Sequence, residues 1–215
     1  MIAAVVFDLD GVIVDSEQVW DEVREAYTEE SGGHYGPTAA RDMQGMSSLE
    51  WSRYMAENLG VPGTPQKINA EVVRRMLERY GEDPPLIPGA ADVVREVARH
   101  WPVAIASSSN PELIEVVIEA AGLGDAVRVW VSSEEVPRGK PAPDVYLEAA
   151  RRLGVQAADC AAVEDSQNGI RSAKAADMRV FAIPNPHYPP DAAALAEADV
   201  VLDSIGELPS ALVRP

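Results

Sequence analysis

Apolar and polar positions along this chain follow two rhythms that succeed one another. Ile2-Ala3-Ala4-Val5-Val6-Phe7 is an unbroken apolar run, the pattern of a strand buried on both faces of a parallel sheet. Residues 17–80 then keep helical spacing: Val19, Trp20, Val23, Ala26 and Tyr27 form one stripe, and Trp51, Tyr54, Met55 and Leu59 a second. Ile68, Val72, Val73, Met76, Leu77 and Tyr80 form a third. Gly32-Gly33 and Val61-Pro62-Gly63-Thr64-Pro65 break these helices apart. After a stiff linker, Gly81-Glu82-Asp83-Pro84-Pro85, strands and helices alternate. Strands are expected at 102–106, 127–131, 160–163, 179–183 and 200–202, with helices between them. The pattern predicts an α/β fold, a doubly wound, Rossmann-like parallel sheet. Residues 1–16 and 82–215 would form that core, and 17–81 an all-helical insert after the first strand.

The first strand runs straight into Asp8-Leu9-Asp10-Gly11. Period-two geometry puts Asp8 and Asp10 on one side of the backbone at the strand's carboxyl end, where open α/β sheets bind ligands. Two carboxylates converging there repel unless a cation or a shared proton intervenes. Gly11 permits the sharp turn that follows. Ser107 also ends an apolar strand, so its hydroxyl and the N–H groups after it can hold a phosphate at the start of the helix at Pro111.

Four short motifs occur in a fixed order: Phe7-Asp8-Leu9-Asp10-Gly11-Val12, Ala104-Ile105-Ala106-Ser107-Ser108-Ser109-Asn110, Arg138-Gly139-Lys140-Pro141-Ala142-Pro143-Asp144 and Ala162-Val163-Glu164-Asp165-Ser166-Gln167-Asn168-Gly169-Ile170. Together they resemble the haloacid dehalogenase-like hydrolases, a superfamily of mostly magnesium-dependent phosphatases, and the insert resembles the small helical cap of one subgroup. The resemblance implies that Asp8 is the nucleophile, forming an acyl phosphate, and that Asp10 protonates the leaving oxygen and later activates water. For that, Asp10 must be protonated when substrate binds, so burial or neighbouring carboxylates should raise its pKa. Lys140 would offset the carboxylates and bind the transferring phosphoryl group, with Ser107, Ser108, Ser109 and Asn110 around the phosphate. Mg²⁺ would be held by Asp8, the Asp10 carbonyl and Asp165, with Glu164 either a direct ligand or behind one. In the cap, Arg41 and Gln44 are the candidate substrate contacts.

Within the resemblance, individual residues discriminate. Dehalogenases lack the second aspartate, which is present here as Asp10. Phosphonatases use a cap lysine, whereas Lys67 has no special context. β-Phosphoglucomutases carry a histidine where Trp20 stands and an arginine where Ser48 stands. Asp15-Ser16-Glu17-Gln18-Val19-Trp20-Asp21 instead resembles capped phosphatases of sugar or polyol phosphates. The expected activity is hydrolysis of small phosphomonoesters, with the cap hinged near 15–17 and 81–85. A phosphomutase and a noncatalytic phosphate- or partner-binding module are the alternatives. Trp20 is either a core aromatic or a site residue, and His187 is a candidate for the pocket mouth.

Composition narrows the class. In 215 residues, 35 acids face 18 bases, a formal charge of −17, which argues against nucleic acid or anionic membrane as partner. No apolar run approaches the ~20 residues of a membrane helix. The opening segment lacks the basic start of a signal peptide. The single cysteine, Cys160, reads as packing. A cytoplasmic enzyme acting on a small phosphorylated metabolite is the expectation. The overall negative field would repel such a substrate, so local cations must outweigh it.

Overall fold

The computed structural model describes residues 2–43, 46–82, 84–187 and 189–213. At its centre is a six-stranded sheet in the order β3-β2-β1-β4-β5-β6. The strands are β1 (Ala4–Phe7), β2 (Val103–Ser107), β3 (Val127–Ser132), β4 (Cys160–Glu164), β5 (Arg179–Ala182) and β6 (Val200–Val201), and every pairing is parallel. β1 pairs with β2 on one side and β4 on the other, so the strand order reverses between β1 and β4. That reversal leaves a crevice at the carboxyl ends of these two strands.

Alternation along the strands divides the core. Val5, Phe7, Val103, Ile105, Val163 and Phe181 pack on one face with α5 (Ala90–Ala98) and α6 (Pro111–Ala120). Ala4, Val6, Ala104, Ala106, Ala162 and Ala182 pack on the other with α7 (Asp144–Leu153) and α8 (Gln167–Ala175). Alanines dominate this second face, leaving room for the large buried Tyr146 of α7. Cys160 is buried there too, and burial pushes its thiol up to about 11, so it packs without reacting.

The segment after β1 contains α1 (Glu17–Glu30), α2 (Ala39–Met43), α3 (Ser48–Glu57) and α4 (Pro65–Glu82), with no strand among its described residues. A capping box between Ser47 and Glu50 starts α3. The chain enters and leaves this helical segment side by side. Asp15 N–H donates to the Pro85 carbonyl at 2.8 Å and Ile87 N–H to the Ile13 carbonyl at 2.9 Å.

Every predicted strand is present, although β6 is only two residues long. α4 continues into the first part of the predicted linker. Three short helices were not expected: α2, α9 (Ala192–Glu197) and α10 (Leu208–Leu212). α2 and α10 span five residues each, too few to establish a period. α9 is set by the Asp191 side chain, which accepts the Ala194 N–H at 2.7 Å. Among the described residues no helix is long and apolar enough to cross a membrane.

Candidate active site

The crevice between β1 and β4 gathers the residues of all four motifs. Asp8 follows the last residue of β1, and its N–H still donates to the Val163 carbonyl at 2.9 Å, so the strand geometry carries into it. Gly11 then turns with φ +76°, a conformation costly for other residues, and a Cβ there would overlap the Asp165 carboxylate. Only glycine lets the two acidic loops meet this closely.

Lys140 is 6% exposed and lies between two carboxylates. Its Nζ is 2.9 Å from Asp8 Oδ1 and 2.6 Å from Glu164 Oε1, and it sits 5.1 Å from the centre of the Tyr146 ring. Glu164, fully buried, is saturated with donors. Oε1 accepts from Lys140 and from the Tyr146 hydroxyl at 2.6 Å, while Oε2 accepts from Asp165 N–H at 3.1 Å and from the Ser166 hydroxyl at 3.2 Å. Gly169 has no side chain because a Cβ there would overlap the Glu164 carboxylate.

Asp10 is held by three hydroxyls. Ser16 donates to one carboxylate oxygen, and Ser109 (2.7 Å) and Ser107 (3.2 Å) donate to the other. The Ser107 hydroxyl also accepts the Ser109 N–H at 2.9 Å, which fixes the loop after β2. Asn110 joins the helical segment to the core: its amide donates to Glu134 at 2.7 Å and its carbonyl accepts from the Ser48 hydroxyl at 3.1 Å.

Charge here is out of balance. Asp8, Glu164 and Asp165 each offer an oxygen within 4.8 Å of the others, and all three are buried. Burial, then Glu164, raises the Asp8 carboxyl well above its usual range despite Lys140. The same two causes, joined by Asp8, raise Asp165. Burial alone would depress Lys140, but Asp8 and Glu164 outweigh it and hold the ammonium above its ordinary value. A permanently charged lysine facing three acids leaves room for another cation.

A cavity of about 70 Å³ lies over these groups, bounded below by Asp8, Asp10, Lys140, Asp165 and the 108–110 loop, and above by the helical segment. The structure therefore brings together Asp8, Asp10, Ser108, Ser109, Asn110, Lys140 and Asp165 on the cavity wall, with Ser107 and Glu164 directly behind. Trp20 both packs and lines: it is buried, stands 5.9 Å from Trp51 between ring centroids, and faces the cavity. Arg41 is exposed on α2 and is not among the lining residues, nor is the exposed His187. Gln44 lies outside the described residues. The wall also includes Arg24 and Trp51, which the pattern of the sequence had not singled out as site residues. Arg24 stands one turn after Trp20 on the apolar stripe of α1, and a basic residue on such a stripe was the available signal.

An open α/β sheet with a buried lysine between carboxylates and an acid cluster at its switch point has the layout of an α/β hydrolytic enzyme. The family description of haloacid dehalogenase-like hydrolases matches residues 2–177. Hexitol phosphatase B of Escherichia coli (strain K12) is 32% identical over 214 residues, covering 96% of this chain and 94% of that protein. A fructose-1-phosphate phosphatase of the same organism is 32% identical, covering 82% of this chain and 93% of its own. The crystal structure of CbbY from Rhodobacter sphaeroides in complex with phosphate superimposes with a TM-score of 0.85 at 27% identity, covering 97% and 96% of the two chains. This chain belongs to the haloacid dehalogenase-like hydrolases.

Proposed function

We propose that this enzyme hydrolyses small phosphomonoesters, sugar or polyol phosphates among them, through a phosphoryl-Asp8 intermediate with Mg²⁺. The observation that carries the reading is the Asp8–Lys140–Glu164 chain of contacts beside Asp10 and Asp165 at the mouth of the sheet. The relatives named as hexitol and fructose-1-phosphate phosphatases support the substrate class. Residues 17–81 act in this reading as a cap that closes over substrate, on a core of 1–16 and 82–215, with the paired 13–15 and 85–87 passages as hinge. The cytoplasm is the proposed setting.

In the first half-reaction the Asp8 carboxylate attacks phosphorus, and Asp10 delivers a proton to the departing alcohol oxygen. In the second, Asp10 takes a proton from the water that attacks phosphoryl-Asp8, and inorganic phosphate leaves. The Ser16, Ser107 and Ser109 hydroxyls keep Asp10 aimed at that oxygen through both halves. Lys140 stays charged and draws electron density from the phosphoryl oxygens as they crowd Asp8. The oxygen-only donor set of Asp8, Asp165 and the Asp10 carbonyl fits Mg²⁺. Glu164, its carboxylate engaged by Lys140, Tyr146 and Ser166, serves as the counter-ion that seats Lys140. When bound, Mg²⁺ supplies positive charge that offsets the acids and polarises the phosphoryl group.

The test is phosphate release from a panel of sugar, polyol, nucleotide and small-acid phosphates, with Mg²⁺ and with chelator. Release that needs the metal and favours one group is expected. Equal release in excess chelator would remove the metal from the account, and silence across the panel from folded protein would favour a mutase or a binding module.

Two further outcomes follow from the geometry. Because Asp8 and Asp165 are raised, Mg²⁺ competes with protons for them, so affinity should be weaker at pH 6 than at pH 8, by at most about tenfold per proton and pH unit. A Mg²⁺ titration followed by tryptophan fluorescence at the two pH values checks this; equal affinities would contradict it. Gly11→Ala should displace Asp165 and weaken Mg²⁺ binding about 10- to 100-fold, with about 1–3 kcal/mol of backbone strain. Thermal unfolding with and without Mg²⁺ measures both effects, and a variant that gains as much from Mg²⁺ as the parent would contradict the first.

A further inference from the structure

Arg24 lines the cavity, yet the chemistry above makes no demand on it. It is 8% exposed, and among the described residues its side chain forms no hydrogen bond or ion pair and its buried Nε has no partner. Two tryptophans hold it in place: its guanidinium carbon is 4.6 Å from the Trp20 ring centre and 4.8 Å from that of Trp51. Aromatic faces attract the charge but offer no lone-pair acceptor, so the N–H donors remain unspent. A desolvated cation in that condition is costly unless something fills the position.

The neighbouring acids do not fill it. Asp21 accepts the Tyr35 hydroxyl at 2.6 Å, and Asp10 accepts from Ser16, Ser107 and Ser109. Glu17 also lines the cavity, but no ion pair joins it to Arg24, and burial and Asp10 push its carboxyl up to about 7. The open donors therefore belong to a residue that lines the same cavity as Asp8 and Lys140.

Resting on the phosphatase reading, we propose that Arg24, clamped between Trp20 and Trp51, binds a second oxyanion on the leaving group of the substrate. The planar fork of a guanidinium matches a carboxylate or phosphate in two hydrogen bonds, and a hydroxyl in one. Substrates of this site are phosphomonoesters whose far end is acidic, such as a phosphorylated sugar acid or a bisphosphate. Trp20 and Trp51 are positioning residues for that contact.

The experiment compares matched substrates that differ at the far end alone: 6-phosphogluconate against sorbitol 6-phosphate, and fructose 1,6-bisphosphate against fructose 1-phosphate. Each is measured on the Mg²⁺-loaded full chain and on Arg24→Gln. The readout is the ratio of kcat/KM within each pair, which does not depend on the fraction of folded enzyme. The parent should favour the acidic member of one pair, and the preferred pair tells carboxylate from phosphate. Arg24→Gln should reduce that ratio about 10- to 100-fold, the value of a charged hydrogen-bonded pair. A parent with no preference in either pair, or a ratio that survives the substitution, overturns the proposal. A binding arm separates this from the catalytic reading. Asp8→Asn protein, titrated with the same compounds and followed by tryptophan fluorescence, should bind the acidic member more tightly and lose that preference with Arg24→Gln. Preferential binding without turnover in the parent would retain the anion site and defeat the phosphatase reading; equal binding of both members would defeat the anion site.

Discussion

Asp8→Asn is expected to reduce phosphate release by about four orders of magnitude or more while leaving the protein folded. Loss of a catalytic nucleophile costs about 10⁴–10⁶ in kcat elsewhere, and a neutral amide oxygen is a poor nucleophile toward phosphorus. The fold should survive because the Asp8 N–H and its strand pairing are main-chain features that asparagine keeps. Asp8 is also a raised, partly uncompensated acid, so removing its charge relieves repulsion from Glu164. Circular dichroism and thermal unfolding give the fold, and phosphate release gives the activity. Turnover within tenfold of the parent would move the nucleophile elsewhere.

The second large effect is expected at Lys140. In Lys140→Met the side chain keeps its unbranched shape and most of its length but loses its charge, leaving Asp8, Glu164 and Asp165 buried together without the ammonium now 2.9 and 2.6 Å from two of them. Removing one partner from a buried ion pair typically costs about 3–5 kcal/mol, and losing the cation beside the phosphoryl group about 10²–10³ in rate. The pH dependence has a definite sign. With folded-state pKa values already raised, the carboxylates bind more protons in the folded than in the unfolded state, so metal-free stability falls as pH rises through those values. Without Lys140 they rise further. The variant's deficit in Tm should therefore be larger at pH 8 than at pH 5.5. A deficit that grows toward acid would mean that the acids are stabilised by something other than the lysine.

Much of this site was legible because the strands that carry it are short and apolar. Asp8, Ser107 and Glu164–Asp165 all stand at or just beyond the ends of such strands, and parallel pairing brings those ends to one edge. What could not be read is what depends on distance in space. Glu164 seats Lys140 across 24 positions, and Ser107 and Ser109 hold Asp10 across nearly 100. Neither spacing leaves a mark in any local pattern. Arg24 shows the same limit more sharply: its place on the apolar stripe of α1 hints at burial, but the Trp51 ring that closes over it comes from α3, which no local pattern on α1 reveals. Arg41 shows the reverse, a basic residue in the expected loop region that α2 turns to solvent. In the proposed reading, the part of the cap that selects substrate is thus built from helix faces, while the reacting groups stand at strand ends and on the loop that carries Lys140.

The most direct test of the account is whether a phosphoryl group passes through Asp8. Enzyme turning over with Mg²⁺ and its best substrate would be quenched in acid, digested, and the peptide containing Asp8 weighed by mass spectrometry. The account predicts that peptide with one added phosphoryl group, the adduct mapping to Asp8 and absent from Asp8→Asn. Substrate consumed at full rate with the adduct absent at every quench time, or mapped to another residue, would contradict it.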